Sequence, residues 1–122
     1  MGKEKIILAI DDDKMQLALF TRMLDSKYIV RIVDSASAAM RYLNTDKADV
    51  VLLDITMPNI TGFEFLDDIR TIPSYMNVPV IIISGNSGHD FISQGKKAGA
   101  FEVLAKPVNP EALIRAIEKA LA

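Results

Sequence analysis

The sequence predicts a single α/β domain built as five successive strand–helix units on a parallel sheet, and three observations carry that expectation. The runs Ile6–Ile10, Val50–Leu53 and Val80–Ile83 are apolar at every position, the pattern of parallel strands covered on both faces. Between such runs, apolar residues recur at helical spacing. No Pro-, Gly- or Ser-rich linker interrupts the 122 residues, a length close to that of one domain and sufficient for a real core.

Taken in order, Ile6–Ile10 is the first strand, and Leu17, Phe20, Thr21 and Leu24 form one stripe of the helix that follows. Tyr28–Val33 and Phe101–Ala105 are each interrupted by a charge, Arg31 and Glu102, so they are expected at the edges of the sheet, nearer water. Val50–Leu53 and Val80–Ile83 join the first strand at its centre. Phe65, Leu66 and Ile69 make a second helical stripe after Gly62. The segment 86–99 is the weakest helix, because Gly88, Gly95 and Gly99 each lower helix propensity by about 1 kcal/mol relative to Ala. It is expected to be labile, as a plain surface helix or as a hinge. Asn109, Pro110 and Glu111 form a strong helix start, and Leu113, Ile117 and Leu121 then repeat every four residues. The six methionines are expected as core and gap filling.

Composition narrows the function. Half the residues are apolar, a quarter are charged and the net charge is −2, which gives no electrostatic footprint for nucleic acid. The absence of cysteine excludes thiolate metal sites and thiol nucleophiles, so a metal must use oxygen ligands. The apolar run before Asp11 is too short for a signal or membrane-spanning segment. Ile6 also stands where a myristoylation pattern wants Ser or Thr. A cytoplasmic protein without membrane insertion is expected.

The polar residues fall where open parallel sheets bind ligands, beyond the carboxyl ends of the strands. The first strand runs into Asp11, Asp12 and Asp13, the third ends at Asp54, the fourth at Ser84, and the fifth at Lys106 before Pro107. Like charges about 4 Å apart repel by roughly 4 kcal/mol at an effective dielectric of about 20, and Lys106 balances one carboxylate at most. The cluster therefore wants a hard cation, and Mg²⁺ suits a site offering one or two carboxylates and water. Each residue also has an ordinary structural role to weigh. Asp13 before Lys14 reads as a helix cap rather than a ligand, Ser84 alone as a loop hydroxyl, Lys106 alone as a solvated charge, and His89 as a surface residue. It is their convergence on one sheet edge that argues for a site.

These residues carry a resemblance. The acidic pair Asp11-Asp12 after an apolar strand, Leu52-Leu53-Asp54-Ile55-Thr56-Met57-Pro58 with Gly62 beyond, Ser84, and Lys106-Pro107 stand in the order and spacing of the receiver domains of two-component response regulators, and the chain resembles that family over nearly its whole length. The resemblance implies one receiver domain over 1–122 without an effector domain, in a flavodoxin-like, doubly wound (βα)5 fold with strand order 2-1-3-4-5. It implies a phosphoryl group accepted on Asp54 from a sensor histidine kinase or histidine phosphotransfer protein. Mg²⁺ is then held by Asp12, Asp54 and the Thr56 carbonyl, with Asp11 acting through water. Lys106 contacts Asp54 at rest and the phosphoryl group afterward, Ser84 senses that group, and the surface 86–121 switches its affinity for a downstream protein. Such a chain is a switch rather than an enzyme, a monomer or a phosphorylation-dependent dimer.

Departures from the family pattern are specific. Val103 stands where many receivers carry an aromatic switch residue, and Phe101 does not match that position. Gly85 stands where Ala is commoner and opens space beside the phosphoryl group. Thr56 and Asn86 occupy the two positions that tune dephosphorylation. Two other readings are a receiver-like scaffold that binds partners without phosphorylation, and a haloacid-dehalogenase-like phosphatase using Asp11 as nucleophile. The latter lacks a later Asp after Lys106 for its second acidic motif.

Overall fold

The computed structural model describes residues 4–55, 62–85 and 89–122. Its elements alternate as β1 (Ile6–Ile10), α1 (Lys14–Leu24), β2 (Ile29–Val33), α2 (Ala36–Thr45), β3 (Val50–Asp54), α3 (Gly62–Arg70), β4 (Val80–Ser84), α4 (His89–Lys97), β5 (Glu102–Ala105) and α5 (Pro110–Leu121). A short 3-10 helix, Pro73–Tyr75, lies between α3 and β4. All strand pairs are parallel and the order is β2-β1-β3-β4-β5. The two strands interrupted by charge are the edges and the three wholly apolar runs are the centre, as their sequences predict. Every residue of β3 and β4 is buried.

Side-chain alternation along these strands builds two cores. On one face Leu8, Ile10, Val51, Leu53 and Ile82 pack with Phe65, Leu66 and Ile69 of α3. On the other Ile7, Ala9, Leu52, Ile81 and Ile83 pack with Leu17, Phe20 and Leu24 of α1 and Leu113 and Ile117 of α5. Burying a large aliphatic or aromatic side chain is worth about 1.5–3 kcal/mol each, so the two faces together hold the helices on the sheet. The helix starts are capped as expected: the Asp13 side chain accepts from the Met15 amide, Ser35 from Ala38 and Asn109 from Ala112.

One expectation is corrected. Met15 and Met76 are not core fillers, being 79% and 56% exposed: Met15 lies on the outward face of α1, opposite the Leu17–Phe20–Leu24 stripe, and Met76 lies in the α3–β4 connection. The segment 86–99 does form a helix from His89 to Lys97, and two of its glycines have packing or conformational reasons. Gly95 is buried against β5, where an added Cβ would stand 2.7 Å from Val103 Cγ2. Gly99 ends the helix with φ +104°, in the left-handed region that glycine adopts without penalty. The side chain of His89 lies outside the described residues.

The α3–β4 connection is held by a residue that sequence periodicity does not single out. Arg70, at the end of α3, donates to the carbonyls of Tyr75 (3.1 Å), Val78 (2.7 Å) and Gly99 (3.2 Å), tying the 3-10 turn to the start of β4 and to the end of α4. Hydrogen bonds from a charged donor are worth about 1.5–3 kcal/mol. Arg70→Ala is therefore expected to lower the unfolding free energy by about 2 kcal/mol in urea with an unchanged m-value. A midpoint equal to that of the wild type would show that water replaces the clamp at no cost.

Candidate functional site

The sheet register brings the candidate residues to one edge. Ile10 stands opposite Leu53 and Asp54 opposite Ile83, so Asp11, just past β1, comes level with Asp54 at the end of β3. Ser84 closes β4 opposite Ala105, which puts Lys106 one step beyond β5. The backbone fixes these ends further: the Asp11 amide donates to the Val33 carbonyl at 3.2 Å, that of Ile55 to Ile83 at 3.4 Å, and that of Lys106 to Ser84 at 2.8 Å. The Lys106–Pro107 peptide is cis.

Asp11, Asp54 and Ser84 are the buried polar residues among those described, at 0%, 2% and 0% exposure. Ligand oxygens of Asp11, Asp12 and Asp54 lie within 4.8 Å of one another, with Asp12 on the exposed rim. Lys106 Nζ sits 3.5 Å from Asp11 Oδ2 and 3.5 Å from Asp54 Oδ2, so one ammonium is shared between two buried carboxylates. Asp13 stays out of this group: its side chain accepts from the Met15 amide at 2.9 Å, and its own amide donates to Asp11 Oδ1 at 2.9 Å. The predicted cap thus also aims its neighbour. Gly85 is exposed, and a Cβ there would meet nothing within 4 Å. Thr56 and Asn86 lie outside the described residues.

Burial pushes the Asp11 carboxyl up to about 6, with the adjacent Asp54 charge adding to the rise while the Asp13 amide and Lys106 oppose it. Two further facts point the same way. Asp11 Oδ2 is buried and accepts no hydrogen bond among the described residues, and the one ammonium contacts two of the three carboxylates. A buried acceptor without a donor costs about 1–3 kcal/mol, and an oxygen-only donor set of this kind fits a hard divalent cation. The residues present therefore fit a metal-binding acidic pocket, and sequence reasoning missed none of its acids among the described residues.

A doubly wound parallel sheet with three carboxylates and one lysine gathered at its strand ends is an α/β architecture whose acidic pocket fits a phosphoacceptor site. The chain belongs to the response regulator receiver domain family, whose sequence profile matches residues 7–118. It is 32% identical over 114 residues to the two-component response regulator ORR3 of Oryza sativa subsp. indica, covering 92% of this chain and 87% of that protein. It is 34% identical over 123 residues to the 3′,5′-cyclic-nucleotide phosphodiesterase regA of Dictyostelium discoideum, covering 98% of this chain but only 16% of that protein. The chemotaxis response regulator CheY4 of Vibrio cholerae superposes with a TM-score of 0.90 at 28% identity, over 98% of this chain and 100% of that one. Receiver domains of this family work with histidine kinases or phosphotransfer proteins. Among the described residues no helix is long and apolar enough to cross a membrane.

The raised Asp11 carboxyl has a stability signature. Its folded-state value of about 6 exceeds its ordinary 3.8, so stability is fully present below about 4 and is lost as pH rises through about 6. In EDTA at pH 7.5, Asp11→Asn is expected to be more stable than the wild type by on the order of 1–3 kcal/mol, a gap that closes toward pH 4. A difference independent of pH in denaturant titrations would overturn that account.

Proposed function

We propose that this receiver domain accepts a phosphoryl group on Asp54 from a phosphohistidine donor, a sensor histidine kinase or phosphotransfer protein, and thereby changes the partner affinity of its 86–121 surface. The 122 residues are read as one such unit, acting in the cytoplasm as a switch rather than as an enzyme. The observation that carries the reading is the sharing of Lys106 between Asp11 and Asp54 inside a three-carboxylate pocket, at 3.5 Å from each. Mg²⁺ would be held by Asp12 and Asp54, with the Thr56 carbonyl and with Asp11 through water, and when bound it neutralises negative charge on the carboxylates and on the incoming phosphoryl oxygens.

The chain's own residues supply positioning. Asp54, fixed as the last residue of a fully buried strand, presents a carboxylate oxygen that attacks phosphorus in line. A P–O bond forms as the donor's P–N bond breaks, and the electron pair leaves with the imidazole. Lys106 already lies 3.5 Å from a carboxylate oxygen of Asp54 and would follow the charge added there. Attack of water on the same phosphorus later releases inorganic phosphate and regenerates Asp54. Ser84, buried at the adjacent strand end, would donate to a phosphoryl oxygen once that group is present. Asp11 suits the nucleophile's role less well, because its Oδ1 is tied to the Asp13 amide and burial favours its protonated form.

With acetyl phosphate and Mg²⁺, the wild type is expected to give a retarded band on phosphate-affinity gels and Asp54→Ala none; undiminished labelling of the variant would move the acceptor elsewhere. In a Mg²⁺ titration Asp12→Ala is expected to weaken binding at least tenfold, the equivalent of about 1.4 kcal/mol, while Asp13→Ala leaves affinity within about twofold and lowers stability by about 1 kcal/mol through its lost cap. Equal losses of affinity would make Asp13 a ligand after all.

A further inference from the structure

Apart from the three clustered acids, the edge of the sheet carries a second recess. Lys14 and Leu17 of α1, Ile32 and Val33 of β2, Asp34 and Ala38 line a cleft of about 470 Å³, a size within the roughly 300–1,000 Å³ of small-molecule pockets. Topology explains why it is open. β2 is an edge strand, and Ile32, level with Ala9 of β1, has no strand on its other side and stays 50% exposed. Covering such a side chain is favourable for any ligand with apolar surface to offer.

Four of the six lining residues are apolar, and the other two carry opposite charges. Lys14 and Asp34 are both exposed, and among the described residues neither forms an ion pair, with the other or with any third group. A ligand with only a carboxylate satisfies Lys14 and is repelled by Asp34; one with only an ammonium has the reverse difficulty. A molecule that carries both answers both residues. The cleft also adjoins the backbone of the acidic pocket. The Val33 carbonyl accepts from the Asp11 amide at 3.2 Å, and Lys14 follows Asp13, whose amide donates to Asp11 Oδ1 at 2.9 Å.

We propose that this cleft binds a small zwitterion with an apolar body, of the α-amino acid class, and that its occupancy is felt at the Asp11 backbone through Val33. The carboxylate pairs with Lys14, the ammonium with Asp34, and the apolar body covers Ile32. The site does not depend on phosphoryl transfer.

L-phenylalanine is the probe, titrated into the wild type without metal and followed by amide chemical shifts. Saturable shifts are expected at Leu17, Ile32, Val33, Ala38 and Asp11, with a millimolar Kd for a ligand of this size. Hydrocinnamate, which lacks the ammonium, and phenethylamine, which lacks the carboxylate, should each bind about threefold more weakly or worse, the scale of an exposed ion pair. Lys14→Gln should weaken phenylalanine by a similar factor without weakening phenethylamine, and Asp34→Asn should do so without weakening hydrocinnamate. Ile32→Ala should weaken all three. No saturable shift at the lining residues, or equal binding of the three probes, would overturn the site. Shifts at the same residues on diluting the protein alone would assign the cleft to a second copy of the chain and overturn it as well. A response at the lining residues with a static Asp11 amide would overturn the link to the acidic pocket.

Discussion

The position of Lys106 Nζ, 3.5 Å from a carboxylate oxygen of Asp11 and 3.5 Å from one of Asp54, is the interaction on which the rest of the arrangement turns. Two acids with almost no exposure cannot both ionise side by side without a counter-charge, and one ammonium answers only part of the demand. The uneven distribution of that answer is informative. Asp11 has one oxygen on the Asp13 amide and the other without a hydrogen-bond donor among the described residues, so it is the acid whose charge the fold resists. A bound divalent cation would relieve that resistance, and the pocket is accordingly a place where ligand binding and stability are coupled.

The sheet makes the pocket possible. Parallel strands buried on both faces are apolar throughout, and their first polar residues stand where the strand leaves the core. Because Ile10 stands opposite Leu53 and Leu53 opposite Ile82, the three strand ends terminate within a residue or two of one another and their polar residues converge instead of scattering along the sheet. The helices starting at Lys14 and Pro110 are capped by residues adjoining the pocket or its lysine loop, Asp13 and Asn109. Capping thereby fixes the direction of both exits.

Most of this was legible from residue order. The wholly apolar runs and the charge-interrupted ones declared centre and edge, and the residue pairs Asp11-Asp12 and Lys106-Pro107 pointed to the sheet edge where the acidic pocket lies. What was not legible depended on contacts between segments distant in sequence. Arg70 reads as an ordinary helix-ending cation, yet it holds Gly99, 29 residues away. Gly95 reads as a helix weakener, and only the approach of β5 shows that a side chain has no room there. Met15 and Met76 read as fillers because methionine packs so freely, and the same adaptability lets them stand exposed. In each case the residue type left two roles open and tertiary packing chose between them.

Under the proposed function, a receiver without an aromatic at position 103 would convert a local event into a surface change by other groups. Moving a two-state surface from about 1:99 to 99:1 takes about 5.5 kcal/mol of differential interaction, whereas one charge-assisted hydrogen bond, such as Ser84 can offer, gives about 1.5–3. Under the phosphoacceptor reading Ser84 alone would fall short of such a shift, and the remainder would come from Lys106 and from repacking beside it.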